Sequence, residues 1–269
     1  MNQLREESPD GATNARTRLL SRLRAIAASL ATRDDALALL ALGSVGLDTE
    51  RIDAHSDLDF FVLVRPQAKE RYLADLAWLN AAHRVAWSFH NTPDGSKALM
   101  DDGVFCEFAV FEPAELPHIP FAPGRFVWRR DEVDPAWAEP VRPLPRPADP
   151  DWLVGEALSN LIVGLGRFAR GERLAAMRLV QVHALDRLLQ LLEQRAMRAD
   201  VPIDPFSIDR RIEQRRPELR RLLPMLTGGY GGTPSAALAL LGELEHHASV
   251  PSAVACHIRA LADAIPTAG

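Results

Sequence analysis

Residues 36–64 read ALALLALGSVGLDTERIDAHSDLDFFVLV, and the fold turns on how they are parsed. A continuous apolar run, Ala36 to Leu42, ends at Gly43-Ser44. Its length fits a buried strand, with helix as the alternative because Ala and Leu are good helix formers. A second glycine, Gly46, follows at once in a polar segment. Twelve residues separate Ser44 from Asp57-Leu58-Asp59, which opens a β-branched and aromatic run, DFFVLV (59–64), stopped by Pro66. Two strands joined by a polar, glycine-containing connection predict a sheet.

Outward from this stretch the pattern alternates. Residues 12–32 carry Ala15, Leu19, Leu23, Ile26 and Leu30 at a spacing of three and four, which predicts an amphipathic helix. Residues 68–84 read as a second helix, and 85–90, 104–111 and 125–129 as strands. Between Pro135 and Pro150 there are six prolines in sixteen residues. Proline fixes φ and has no amide to donate, so an extended, stiff linker is expected there. Beyond it helical periodicity takes over at 151–170, with Gly171 as a stop, then at 172–197, 210–226, 234–248 and 251–264. The fold class read from this is α+β. A mixed β-sheet domain with an N-terminal helix occupies 1–134, a proline-rich linker 135–150, and an α-helical bundle 151–269.

Composition narrows the function classes. With 269 residues, 47% hydrophobic and 25% charged, the chain can bury a large core and is not a disordered one. Its two cysteines, Cys106 and Cys256, have no metal-ligand spacing, which points to a reduced, cytoplasmic protein. No apolar signal core and no run of eighteen apolar residues is present, so neither secretion nor membrane spanning is expected. Net charge is −5, and the first 150 residues hold 17 bases against 23 acids. That balance argues against a nucleic-acid partner. Six arginines crowd residues 210–221, where a solvated helix face paired with Glu213 and Glu218 is the expected reading. Gly228 to Gly232 is glycine-rich but lacks the Lys-Ser/Thr of a P-loop, so a flexible interhelix loop is expected.

The chemistry concentrates in the opening stretch. Turn amides at Gly43-Ser44, with the serine hydroxyl, suit the oxygens of a phosphate chain. Asp57 and Asp59 are two apart at a strand start, so their side chains share a face. Two carboxylates that close repel unless a cation lies between them, and hard oxygen donors suit Mg²⁺. Glu107 stands inside the apolar run 104–111, where an unpaired charge is costly. If its strand neighbours that of Asp59, three carboxylates converge on one face, which is a two-metal arrangement for phosphoryl or nucleotidyl transfer. Asp94, Asp101 and Asp102 are the alternatives for the third acid.

This order of features resembles the nucleotidyltransferase superfamily that includes DNA polymerase beta. Within it the small antibiotic nucleotidyltransferases of the lincosamide and aminoglycoside type are nearest, the lincosamide type having a helical C-terminal domain. The resemblance rests on Gly43-Ser44, Ser56-Asp57-Leu58-Asp59 and Glu107 within CEFAVF. It implies that Gly43 and Ser44 bind the nucleotide phosphates and that Asp57 and Asp59 bind two Mg²⁺ ions. Glu107 would complete the metal site, act as general base, or both. The implied reaction moves a nucleoside monophosphate from an NTP to a hydroxyl of a small molecule, an antibiotic being one such acceptor, and releases pyrophosphate. AMP transfer to a protein partner and a non-catalytic nucleotide-binding scaffold are the alternatives, and a homodimer is left open.

Overall fold

The computed structural model describes residues 9–142, 146–195, 203–204 and 206–265. The chain divides into two compact units with the boundary between Leu144 and Pro145. The first unit holds one six-stranded sheet. Its strands are β1 (Ala36–Ala41), β2 (Leu58–Val64), β3 (Val85–His90), β4 (Gly95–Met100), β5 (Phe105–Phe111) and β6 (Arg125–Arg129). They lie in the order β3-β4-β5-β2-β1-β6. All neighbours are antiparallel except β2 and β5, which run parallel. Strand, not helix, is therefore the outcome for the Ala36 run, and all six of its residues are buried.

The two-residue period sorts each strand between two faces. Leu58, Phe60, Val62 and Val64 of β2, with Cys106, Phe108 and Val110 of β5, pack under helix α1 (Pro9–Ala31). The helix contributes Leu19, Leu23, Ile26 and Leu30, the stripe its spacing predicts. Trp78 wedges against this layer, 6.3 Å from the Phe60 ring and 5.2 Å from Phe108. Its indole donates to the Tyr72 carbonyl at 3.0 Å. On the opposite face Phe61, Leu63 and Phe111 cluster with Leu116 and Val133.

Three local expectations change in the first unit and the segment that follows it. The helix expected at 68–84 is two short ones, α2 (Lys69–Ala74) and α3 (Ala77–Asn80). Asp75 breaks it: its backbone is extended, and its carboxylate accepts from the Ala77 amide at 2.8 Å, restarting the chain as a cap would. Strand β4 was not expected, because Gly95, Ser96 and Lys97 are poor strand formers. Pairing on both edges overrides that preference. Within the segment expected to be an extended linker, Pro135–Ala138 is a 3₁₀ turn. Proline is well placed at the start of such a turn, since its missing amide is one the turn would leave unused. Asp134 accepts from the Ala136 amide at 2.9 Å, and the Gly124 amide donates to the Ala138 carbonyl at 2.9 Å. Linker residues 143–145 lie outside the described residues.

The second unit is helical. Helix α4 (Pro150–Ala169) starts on an Asp149 cap and is stopped by Gly171 at φ 85°. Helices α5 (Arg173–Arg178) and α6 (Leu185–Arg195) are joined by a π-helical segment, Leu179–Ala184. The last two residues of the helix expected at 172–197 lie outside the described residues. The helix expected at 210–226 is broken into α7 (Ile212–Arg215) and α8 (Leu219–Leu226). Arg216-Pro217 lies at the break, and the residue before a proline is driven out of helical geometry. Helices α9 (Thr233–His247) and α10 (Ser252–Asp263) complete the unit. The glycine-rich turn before α9 is held in place: Gln181 donates to the Gly229 carbonyl at 2.8 Å and accepts from its amide at 2.9 Å. Among the described residues no helix is long and apolar enough to cross a membrane.

The two cysteines differ sharply. Burial pushes the Cys106 thiol up to about 12, with neighbouring acids adding to the shift, whereas Cys256 is exposed. Only the thiolate reacts, so a maleimide at pH 8 is expected to label one thiol per native chain and both after denaturation. Rapid labelling of both thiols in the native protein would contradict this burial.

Candidate active site

The sheet register assembles the site. Pairing of β2 with β5 sets Asp59 opposite Glu107, and pairing of β4 with β5 sets Lys97 opposite Glu107. Asp59, Glu107 and Lys97 therefore form one row across three adjacent strands, on the face away from α1. Asp57, two residues before Asp59, precedes β2. The loop that delivers it is tied by Asp53, whose carboxylate accepts from the His55 amide at 2.9 Å and the Ser56 hydroxyl at 3.0 Å. This is a side-chain-closed turn of the kind aspartate and serine form readily.

Gly43 lies against this row. The Leu42 amide donates to the Asp59 carbonyl at 2.8 Å, after which the chain turns at Gly43 with φ 54°. A Cβ at Gly43 would stand 2.5 Å from Asp59 Oδ2. Only glycine permits both the left-handed backbone and that approach. The short turn Gly43–Val45 that follows carries Ser44, and from β6 Arg125 donates to the Gly46 carbonyl at 2.8 Å and the Val45 carbonyl at 3.1 Å. Burial lowers the pKa of this guanidinium.

The electrostatics centre on Lys97. Its ammonium meets Glu107 Oε2 at 2.9 Å, and the Asn91 amide donates to Glu107 Oε1 at 3.4 Å. The hydrogen bond to Glu107 raises the Lys97 pKa most, and the charges of Glu107, Asp57 and Asp59 add to it. One ammonium thus sits in the field of all three acids. The donor set fits a hard divalent cation: three carboxylates, no sulfur or imidazole, beside a turn that a side chain would fill. Asp57, Asp59 and Glu107 are the residues that would hold it.

The alternative acids lie off this row and have cationic partners of their own. Asp94 pairs with Lys69 at 2.6 Å, and Asp102 with Arg22 at 2.8 Å. His83 Nε2 lies 2.6 Å from Asp101. Among the described residues, His83, Asp101 and Asp102 are the one trio whose ligand atoms all lie within 4.8 Å of one another. The Asp57, Asp59 and Glu107 oxygens are spread more widely, with Glu107 drawn towards Lys97 and Asn91.

Lys97 and Asn91 escaped the sequence reading. A signal was there: Asn91-Thr92-Pro93-Asp94-Gly95 is a turn sequence following a strand, which implies a returning partner. In that partner Ser96, Ala98 and Met100 are buried in alternation with Lys97 and Leu99, which leaves the lysine on the acidic face.

No family model matches the chain, and no curated protein matches it at a significant level. Among solved structures it is similar to an aminoglycoside 6-adenyltransferase from Bacillus subtilis, at 12% identity and a TM-score of 0.37, over 90% of this chain and 98% of that one. A nucleotidyltransferase-like protein from Exiguobacterium sibiricum gives 12% identity and a TM-score of 0.35 over 84% and 74% of the two chains. A STING-associated CdnE c-di-GMP synthase from Capnocytophaga granulosa gives 12% and 0.30 over 95% and 79%. At these values the likeness decides neither the activity nor the acceptor of this chain.

Proposed function

We propose that this chain is a metal-dependent nucleotidyltransferase of the DNA polymerase beta-like superfamily. It moves a nucleoside monophosphate from an NTP to a hydroxyl of a small molecule and releases pyrophosphate, with antibiotics among the acceptors to test. The observation that carries this reading is the Asp59–Glu107 pairing with the Gly43 turn set against the Asp59 carboxylate. That juxtaposition sets a glycine turn beside an oxygen-donor cluster. It also explains why the chain accepts a charged row in an otherwise apolar sheet.

The amides of the Gly43 turn and the Ser44 hydroxyl bind the triphosphate oxygens. Asp57, Asp59 and Glu107 would hold Mg²⁺, and the cation would supply neutralisation of the charge that builds on the α-phosphate and the leaving oxygen. The acceptor oxygen forms a bond to the α-phosphorus as the bond from that phosphorus to the α–β bridging oxygen breaks. The bonding pair leaves with pyrophosphate, and the hydroxyl proton passes to the Glu107 carboxylate. Lys97 holds that carboxylate in position through its ion pair.

The test couples nucleotide binding to turnover. Thermal shifts with each NTP and Mg²⁺ identify the donor, and pyrophosphate release over a panel of hydroxyl acceptors identifies the reaction. Asp59→Asn is expected to remove the Mg²⁺-dependent NTP shift and to lower turnover by roughly 10³-fold or more, since several kcal/mol of transition-state stabilisation go with the cation. An Asp59→Asn protein that keeps both would sink this reading.

A further inference from the structure

The acidic row continues into an aromatic one. Lys97 of β4 pairs with Phe89 of β3, and Leu99 with Trp87, so all four share the face of Glu107. Leu99 is also paired with Phe105 of β5, and continuing the β2–β5 register by one step sets Phe105 level with Asp57. Two rows thus cross the sheet, from Trp87 to Asp57 and from Phe89 to Asp59. Trp87, Phe89 and Leu99 are 51%, 45% and 37% exposed. The Trp87 and Phe89 rings lie 5.0 Å apart with their planes tilted by 40°. Single exposed apolar side chains need no explanation, but three large ones side by side do.

We propose that Trp87, Phe89 and Leu99 form the shelf on which the acceptor lies, and that the acceptor carries a flat apolar ring system, neutral or anionic, with its hydroxyl reaching Glu107. This inference rests on the nucleotidyltransferase reading above. Position supports it. Gly43 and Ser44 lie on the β1 side of Asp59, so the phosphates occupy that side and the attacking hydroxyl must come from the Glu107 side. At the usual strand spacing Phe89 stands about 10 Å from Glu107 along the row, the span of a molecule of two or three fused rings. Charge supports it too. On β3, β4 and β5 the charged residues of this face are Lys97 and Glu107, and they pair with each other. A polycation would meet the Lys97 ammonium on its way to Glu107, and the carboxylates beyond it in the two rows, Asp57 and Asp59, are the ones that would be taken up by the metal.

The experiment uses the full chain and two probes, 2-naphthol and the polycationic aminocyclitol neamine, followed by ligand-detected NMR titration. Replacing Trp87 and Phe89 together by alanine is expected to weaken 2-naphthol binding about tenfold or more, the effect of losing two stacking rings, while tyrosine at both positions keeps affinity within about twofold. The MgATP thermal shift should be the same in all three proteins, and neamine should neither bind the shelf nor displace the naphthol. Unchanged naphthol binding by the alanine variant overturns the proposal, as does displacement by neamine or by MgATP. Light scattering closes the remaining route. A wild-type dimer that the alanine variant loses would assign the patch to a second copy of this chain and equally overturn it. Naphthol binding reports on the shelf alone, whereas pyrophosphate release by the wild type and Asp59→Asn reports on the underlying activity, so the two failures are distinct.

Discussion

On the proposed reading, Gly43→Val is expected to abolish Mg²⁺-dependent NTP binding and turnover while the protein remains folded. The backbone there has φ 54°, and the first atom of any side chain would stand 2.5 Å from Asp59 Oδ2. Valine is β-branched and tolerates the left-handed region badly, so the turn must shift or Asp59 must rotate away. Either movement separates the Gly43 turn from the Asp59 carboxylate. The strain is local, of order 1–3 kcal/mol, which for a chain of this length lowers the melting temperature by only about 3–10 °C. Loss of binding should therefore far exceed loss of stability. Calorimetric titration with MgNTP alongside thermal unfolding makes the comparison. A variant that loses stability and NTP affinity in equal measure would reduce Gly43 to a structural glycine.

Arg215→Ala is expected to destabilise the helical unit by about 3–5 kcal/mol, the usual consequence of stranding a buried charge. The Arg215 side chain is 0% exposed and its partner Glu193 6%, with Nε 3.2 Å from Oε1. Arg215 also donates to the Arg210 and Ile208 carbonyls, which closes the turn entering α7. The arginine-rich stretch is therefore not the uniformly solvated face its sequence suggested. Arg216 lies 3.8 Å from Glu193 and donates to the Leu192 carbonyl at 2.8 Å, so two of the six arginines serve the interior. Removing Glu193 as well, in an Arg215→Met, Glu193→Leu double variant, should recover much of the loss, because no uncompensated charge then remains. Urea unfolding of the single and double variants measures this. A change below about 1 kcal/mol in Arg215→Ala, the worth of a surface pair, would mean that the pair is solvated.

Much of this protein is legible in its order of residues. The α1 stripe, the strands at 58–64, 85–90, 105–111 and 125–129, and the change to helices after the prolines follow from period and breakers, whereas the 36–41 run left helix open until its pairing with β2 and β6 decided for strand. Those signals are local: a period of two or of three to four residues is read within one element, and a proline acts where it stands. The expectation that Asp57 and Asp59 share a face is read in the same local way, from a spacing of two, although Asp57 itself precedes β2. The break at Asp75 and the strand at Gly95–Met100 are not, because there a side-chain cap or two partner strands outweighed the residues' own preferences.

The candidate site divides in the same way. Asp57, Asp59, Gly43 and Ser44 lie in one short stretch and can be singled out from it. Glu107 could be named from its apolar surroundings, but its place beside Asp59 depends on β5 returning parallel to β2 after two helices and two further strands. Lys97 and the Trp87–Phe89 pair join the face only through the registers of β4 and β3. The buried Arg215–Glu193 pair likewise joins positions on separate helices. Residue type and spacing along the chain determined which groups could carry chemistry and which face of its own strand or helix each would share. Which groups meet was decided by strand order and register, because a slip of one residue between two strands would turn a whole row to the opposite face without altering any local signal.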